Sequence, residues 1–118
     1  MHFTPAMVCA INHGLGESKL SNLRILLDSG ASSTILSGKY AKKLLQKMTK
    51  PQTWITQAGT IKTNKKSKVE LILPELDMTK IVTWDCHMDD SLILGRYDMS
   101  IGRDFLSELC MNLNFSNM

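Results

Sequence analysis

The sequence predicts a mainly β domain with two short helices, and three observations carry that expectation. At 118 residues the chain is the size of one ordinary domain with one core. Short apolar runs rich in Val, Ile, Thr and Trp recur along it, separated by Gly, Asn, Ser and Pro. Only two segments carry apolar residues at helical spacing. There is no internal repeat, low-complexity tract or linker, so residues 1–118 form a single domain.

Taken in order, Ala6 to Ile11 (AMVCAI) suits a strand, and HGLGESKLSN after it carries turn residues. Leu23 to Leu27 is a second strand, antiparallel to the first. Lys39 to Met48 places Tyr40, Leu44, Leu45 and Met48 on one face with lysines opposite, which predicts a short amphipathic helix stopped by Pro51. WITQAGTIKT and VELILPEL then form two strands around a polar NKKSK turn. Lys80 to Cys86 (KIVTWDC) is another strand, as is Tyr97 to Gly102 (YDMSIG) after a break at Gly95. Arg103 to Cys110 patterns as a helix, and MNLNF closes the chain as a strand.

Composition excludes several classes of function. A content of 43% hydrophobic and 21% charged residues is ordinary for a folded protein and far from the signature of disorder. The net charge of +3 comes mostly from lysines between Lys39 and Lys68, weak grounds for nucleic-acid binding. Lys62, Lys65, Lys66 and Lys68 have RNA contact as one reading, but such a cluster is more often the solvated tip of a hairpin, so direct nucleic-acid binding is not expected. Cys9, Cys86 and Cys110 form no CxxC pair and are odd in number, which indicates neither a disulfide framework nor a zinc site and fits a reducing compartment. Asp85, Cys86, His87, Asp89 and Asp90 lack a second His or Cys at ligand spacing, so no metal and no cofactor are expected. Trp54 and Trp84 are expected as sheet and core residues rather than ligand platforms. No apolar stretch approaches the ~20 residues of a membrane span, and the first ten residues lack the order of a secretory signal.

Residues 26–36, LLDSGASSTIL, hold the chemistry. Asp28 ends an apolar run, where a carboxylate is costly unless it is used. Ser29 and Gly30 supply a hydroxyl and a tight turn that hold it in place. One carboxylate can accept a proton from water but cannot also donate one to an amide; two at ~3 Å share a proton and divide into acid and base. D-[ST]-G occurs once here, because Asp90-Ser91 runs into Leu92. The second carboxylate must therefore come from a second copy of the chain across a two-fold axis. The triplet alone is weak, since it arises by chance in roughly one chain in twenty of this length. Its context is stronger: apolar flanks, an Ala after the glycine, and SIGRDFL about seventy residues on.

LLDSGASSTIL, YDMSIGRDFLSEL and the closing LNF together resemble the retroviral and LTR-retrotransposon aspartic proteases, the retropepsin group, most closely those of Ty3/gypsy-like elements. The similarity covers nearly the whole chain. It implies a small closed β-barrel-like domain with a flap hairpin, one or two short helices and a two-fold symmetric dimer. It also implies that Asp28 is the catalytic aspartate, given once by each subunit. Ser29 matches the hydroxyl that bonds across the dimer axis, Gly30 the turn that admits substrate backbone, and Ala31 the chain beside the bound peptide. Gln57, Ala58, Gly59 and Thr60 match the flap that closes over substrate. Ile101, Gly102 and Arg103 match the element whose glycine lets another strand pass and whose arginine braces the site.

Two positions depart from the family. Ser32 stands where many viral members carry an acid that pairs with the helix arginine, leaving Arg103 to bond backbone carbonyls or Asp104. Ser100 stands where the family has an apolar residue lining a substrate pocket, which implies a wider or more polar subsite. The resemblance further implies an endopeptidase that cleaves its own Gag-Pol polyprotein, in the cytoplasm within virus-like particles, with MNLNF helping to hold the dimer. A pepsin-like peptide-binding or dimerisation module without cleavage is the alternative, and the intact Asp28-Ser29-Gly30 argues against it.

Overall fold

The computed structural model describes the backbone of residues 2–12, 18–73 and 77–111 and the side chains of residues 23–41, 44–71 and 82–108. Strands β1 (His2–Asn12) and β2 (Ser18–Leu27) form the expected antiparallel hairpin, longer than the apolar runs alone suggest. Their register shifts between Thr4 and Met7, across Pro5, which has no N–H for the ladder. Next in chain order come β3 (Ile35–Ser37), β4 (Gln46–Thr56), β5 (Gly59–Leu73), β6 (Asp77–Asp89), β7 (Met99–Ile101) and the helix α1 (Arg103–Met111).

The strands make one sheet in the order β1-β2-β7-β3-β6-β5-β4, not a fully closed barrel. A short extra pairing of β1 with β5, Cys9 with Leu71 and Ala10 with Glu70, folds the sheet back on itself. At its centre β7 runs parallel to β2 and antiparallel to β3, and β3 runs parallel to β6. β3 and β7 have three residues each and are buried at every position, as strands covered on both faces must be.

Two apolar clusters lie on opposite faces. The larger joins Leu23, Ile25, Leu36, Met88, Met99 and Ile101 to Phe105 of α1, whose ring stacks on Trp84 at 4.7 Å. The smaller contains Leu26, Ile35, Leu94 and Tyr97, roofed by Ile61, Trp54 and Ala58 of the β4–β5 hairpin. Both tryptophans are thus packing residues.

Three local expectations are corrected. The helix expected over Lys39–Met48 is a 3-10 helix, Gly38–Lys43, capped by the Ser37 hydroxyl. From Leu44 the chain is extended, and β4 begins at Gln46. Of the apolar face predicted for that helix, Leu44 is buried and Tyr40 half-buried, while Leu45 and Met48 are 68% and 69% exposed. Backbone pairing with β5 outweighs a weak helical preference that the four crowded lysines of the segment oppose. Pro51 lies inside β4, in the register shift between Met48 and Gln52, and is tolerated because β4 is an edge strand.

The NKKSK turn does not exist: β5 runs through it without a break. Ile61, Thr63, Ser67, Val69 and Leu71 point inward in alternation with Lys62, Asn64, Lys66, Lys68 and Glu70, a strand period that the lysines obscured. The lysine cluster is therefore the side of a strand rather than a hairpin tip. Lys65 pairs with Asp90 at 3.5 Å and Lys66 with Asp85 at 4.0 Å. The turn falls instead at Gln57–Ala58, where Thr56 pairs with Gly59. The strand expected over Tyr97–Gly102 is limited to Met99–Ile101, and the closing strand MNLNF lies, apart from Met111 at the end of α1, outside the described residues.

Candidate active site

The ladder between β2 and β7 continues one step past β2, because the Asp28 N–H donates to the Ile101 carbonyl at 2.9 Å. That bond fixes where the carboxylate begins. The chain then turns, with the Ala31 N–H donating to the Asp28 carbonyl at 3.1 Å and the Gly30 N–H to Asp28 Oδ1 at 3.2 Å. Asp28 Oδ2 accepts from the Gln57 N–H at 2.8 Å. Both carboxylate oxygens are therefore held by backbone donors, one from its own turn and one from the tip of the β4–β5 hairpin. Asp28 is 1% exposed. Beside it Ala31 is buried, whereas Ser29 and Gly30 are exposed.

The hairpin tip is itself braced. Thr56 Oγ1 accepts from the Ala58 N–H at 3.1 Å and donates to the Gly59 carbonyl at 2.7 Å. Gly59 has φ +131°, a conformation side chains resist, and Ile93 Cγ2 stands 3.3 Å from where a Cβ would project. The hairpin thus rests on both the carboxylate and the 89–98 loop. Asp89 holds that loop by accepting the Leu94 N–H at 2.8 Å. In this position the hairpin tip covers the Asp28 carboxylate.

Behind the turn, α1 supports the site. The Arg103 N–H donates to the Ala31 carbonyl at 2.8 Å, and its Nη1 reaches the Gly30 carbonyl at 3.4 Å. Of the two partners left open for Arg103, it takes backbone carbonyls. Asp104 bonds Thr34 instead, accepting from its hydroxyl at 2.7 Å and its N–H at 3.2 Å. Asp104 Oδ1 also accepts from the Phe105 N–H at 2.7 Å, so one carboxylate ties the first turn of α1 to the segment leading into β3. Thr34 Oγ1 in turn accepts from the Gly102 N–H at 3.1 Å. Thr34 was not singled out from the sequence, and Asp104 was named there only as a partner for Arg103. An acid in the first turn of a helix was the available signal.

The residues expected at the site are thus distributed. Asp28, Gly30, Ala31, Gln57 and Arg103 meet through hydrogen bonds, and Ala58, Gly59 and Thr60 complete or follow the hairpin turn. Ile101 gives its carbonyl to Asp28 but buries its side chain in the larger cluster, away from the hairpin. Ser100 is fully buried on the opposite face of β7. Among the described residues no group of three His, Cys, Asp or Glu side chains is placed to hold a metal ion, and no helix is long and apolar enough to cross a membrane. The Cys86 thiol is buried and lies 3.9 Å from the Trp84 carbonyl.

His87 sits at the base of the hairpin, its ring 4.6 Å from that of Trp54, which donates from Nε1 to Thr63 Oγ1 at 2.9 Å. Burial lowers its pKa below 6.5, Lys66 lowers it further, and Asp104 and Asp85 oppose the shift. A lowered folded-state pKa means that the unfolded chain binds more protons as pH falls below 6.5. The stability contributed by neutral His87 is thus present above that pH and lost on acidification. Between pH 7 and 5 the melting temperature of the wild type should fall further than that of His87→Leu; parallel slopes in a thermal-melt series would refute this.

Comparison with curated proteins returned no match. The family profile described as retroviral aspartyl protease matches residues 5–114, a span that contains the Asp28 turn, the β4–β5 hairpin and the Gly102–Arg103 element. The chain belongs to the retroviral aspartyl protease family and is an aspartic protease.

Proposed function

We propose that this aspartic protease is a homodimeric endopeptidase that processes the Gag-Pol polyprotein of a retroelement within virus-like particles. The observation that carries the proposal is the Asp28 carboxylate, buried at the end of β2, aimed at the hairpin tip and held by the Gly30 and Gln57 N–H groups. The sequence offers one such motif, and amide hydrolysis needs an acid and a base together. A second protomer supplies the missing partner, with the exposed Ser29 turned towards the same axis.

In the dimer the two Asp28 carboxylates share one proton. The ionised one removes a proton from water as it attacks the scissile carbonyl, and the protonated one donates to the carbonyl oxygen. The proton taken from water then passes to the leaving nitrogen while one hydroxyl of the collapsing diol returns its proton to the other carboxylate, so the amide is cleaved with no net gain or loss of protons at the pair. Gln57 leaves its bond to Asp28 when the hairpin lifts, and the peptide lies as a strand between hairpin and floor, bound mainly through its main chain.

Mixing wild type with Asp28→Asn tests the shared site. After exchange at equal concentrations, activity should fall to about a quarter of that of the same total protein as wild type, because one altered carboxylate disables a dimer. A value near one half would mean that each chain works alone, and absence of cleavage by the wild type would favour the non-catalytic module.

A further inference from the structure

The ladder between β4 and β5 is interrupted between Met48 and Gln52, where Thr49, Lys50 and Pro51 stand opposite Asn64 alone. Pro51 has no N–H with which to restore the pairing, so the outer hairpin, residues 52–63, joins the rest of the sheet through a weak point. Beyond that break the hairpin rests on the molecule through the Gln57 N–H on Asp28, Gly59 beside Ile93, Ile61 in the smaller cluster and the Trp54 ring on His87. Of these supports, Asp28 and His87 can change charge.

The backbone holds His87 firmly. Its N–H donates to the Thr34 carbonyl at 3.1 Å, and it pairs with Ile35 of β3 and Lys66 of β5. It is 7% exposed, and its Nδ1 has no hydrogen-bond partner among the described residues. Protonation places an N–H on both ring nitrogens, so in this arrangement Nδ1 becomes a buried donor with no acceptor. Charged groups face the ring from every side. Lys66 opposes a proton there, while Asp104 of α1 and Asp85, two residues back on β6, favour one. Those carboxylates are already engaged, Asp85 by Lys66 and by Lys47 of β4, Asp104 by Thr34, and Asp89, two residues further along β6, by the Leu94 N–H. The tilted indole of Trp54 also attracts an imidazolium, yet burial is the largest influence and leaves the pKa of the ring below 6.5. A seated hairpin therefore favours neutral His87.

We propose that His87 is a proton-operated latch on the hairpin: neutral, it seats Trp54 and keeps the hairpin down over Asp28, and protonated, it lets the outer hairpin swing up at the Met48–Gln52 break and uncover the carboxylate. Lifting Trp54 brings water to Nδ1 and hydrates the new charge, so each proton bound shifts the balance towards the raised hairpin. Trp54 and Thr63 keep their own hydrogen bond, because both lie on the moving part. The latch acts on access to Asp28 and is independent of which peptide is cleaved.

The test is amide hydrogen exchange of the full chain at pH 7 and pH 5, corrected for the intrinsic pH dependence of exchange and read by mass spectrometry for the outer hairpin and, as reference, for β2. Wild type is compared with His87→Gln and His87→Leu, which are neutral at both pH values; the polar variant keeps the test open if the apolar one folds poorly. Asp28 is present in all three proteins, so its own titration cancels. The outer hairpin should exchange faster than β2, by an opening of its own. Between pH 7 and 5 its protection in the wild type should fall at least roughly threefold further than in either variant. Protection of the hairpin that changes in parallel in wild type and variants overturns the latch, even where β2 loses protection, because protonation of His87 then requires unfolding of the whole domain. A hairpin as well protected as β2 at both pH values overturns it too, since no separate opening exists for the proton to drive.

Discussion

Replacing Asp28 by Asn is expected to reduce peptide hydrolysis by at least roughly a thousandfold, to the detection limit of most assays. In a homodimer the change removes both carboxylates at once, so neither a base for water nor an acid for the carbonyl remains. Asn keeps the size of the side chain, but an amide nitrogen replaces one of the oxygens that accept from Gly30 and Gln57. Some loosening of the hairpin tip is therefore expected, while the β2–β7 contact through the Asp28 N–H is untouched. Activity and sedimentation measured on the same preparation separate the effects: cleavage disappears and the oligomeric state stays. Cleavage that persists after purification from contaminating proteases would remove Asp28 from the mechanism.

The second large effect is structural. Gly102→Ala is expected to cost about 3 kcal/mol or more, because the new Cβ would lie 2.5 Å from the Ser33 carbonyl oxygen and 2.7–2.8 Å from its carbonyl carbon and nitrogen. Those are backbone atoms of the segment between the Asp28 turn and β3, and they cannot swing aside as a side chain can. Yielding would also pull the Gly102 N–H off Thr34 Oγ1 and disturb the Thr34–Asp104 bonds. The melting temperature should fall by roughly 10–20 °C. Gly30→Ala is the control. There a Cβ meets nothing nearer than Asp28 Oδ1 at 3.5 Å, an ordinary contact, so the fold should survive. Similar melting of both variants would contradict the close-approach account.

Some elements were legible because local chemistry and the final environment agree. The β1–β2 hairpin, the break at Gly95 and helix α1 follow from turn residues, alternation and helical spacing, and the structure keeps them. Elsewhere local preference and tertiary demand conflict. Leu45 and Met48 fit a helical face, yet both are exposed, Leu45 just before and Met48 on an edge strand whose backbone β5 satisfies. The lysines of NKKSK suggested a turn, yet Lys66 and Lys68 line the solvent side of a strand that holds Thr63 and Ser67 inward. In both places the deciding partner is distant along the chain.

The site divides in the same way. The sequence by itself determined the chemistry: a carboxylate at the end of an apolar run, followed by Ser29 and a turn glycine, together with a Gly102–Arg103 element before a helix. Those are statements about residue type and adjacency, and adjacency is what a sequence records. Only the tertiary structure decided that Gln57 sits on Asp28, that Arg103 takes the Gly30 and Ala31 carbonyls, that Asp104 belongs to Thr34 and that Ser100 is buried beside Leu26. Each of those depends on hydrogen bonds of fixed length between segments about thirty to seventy residues apart, and strand register, which no single segment contains, sets which of them meet.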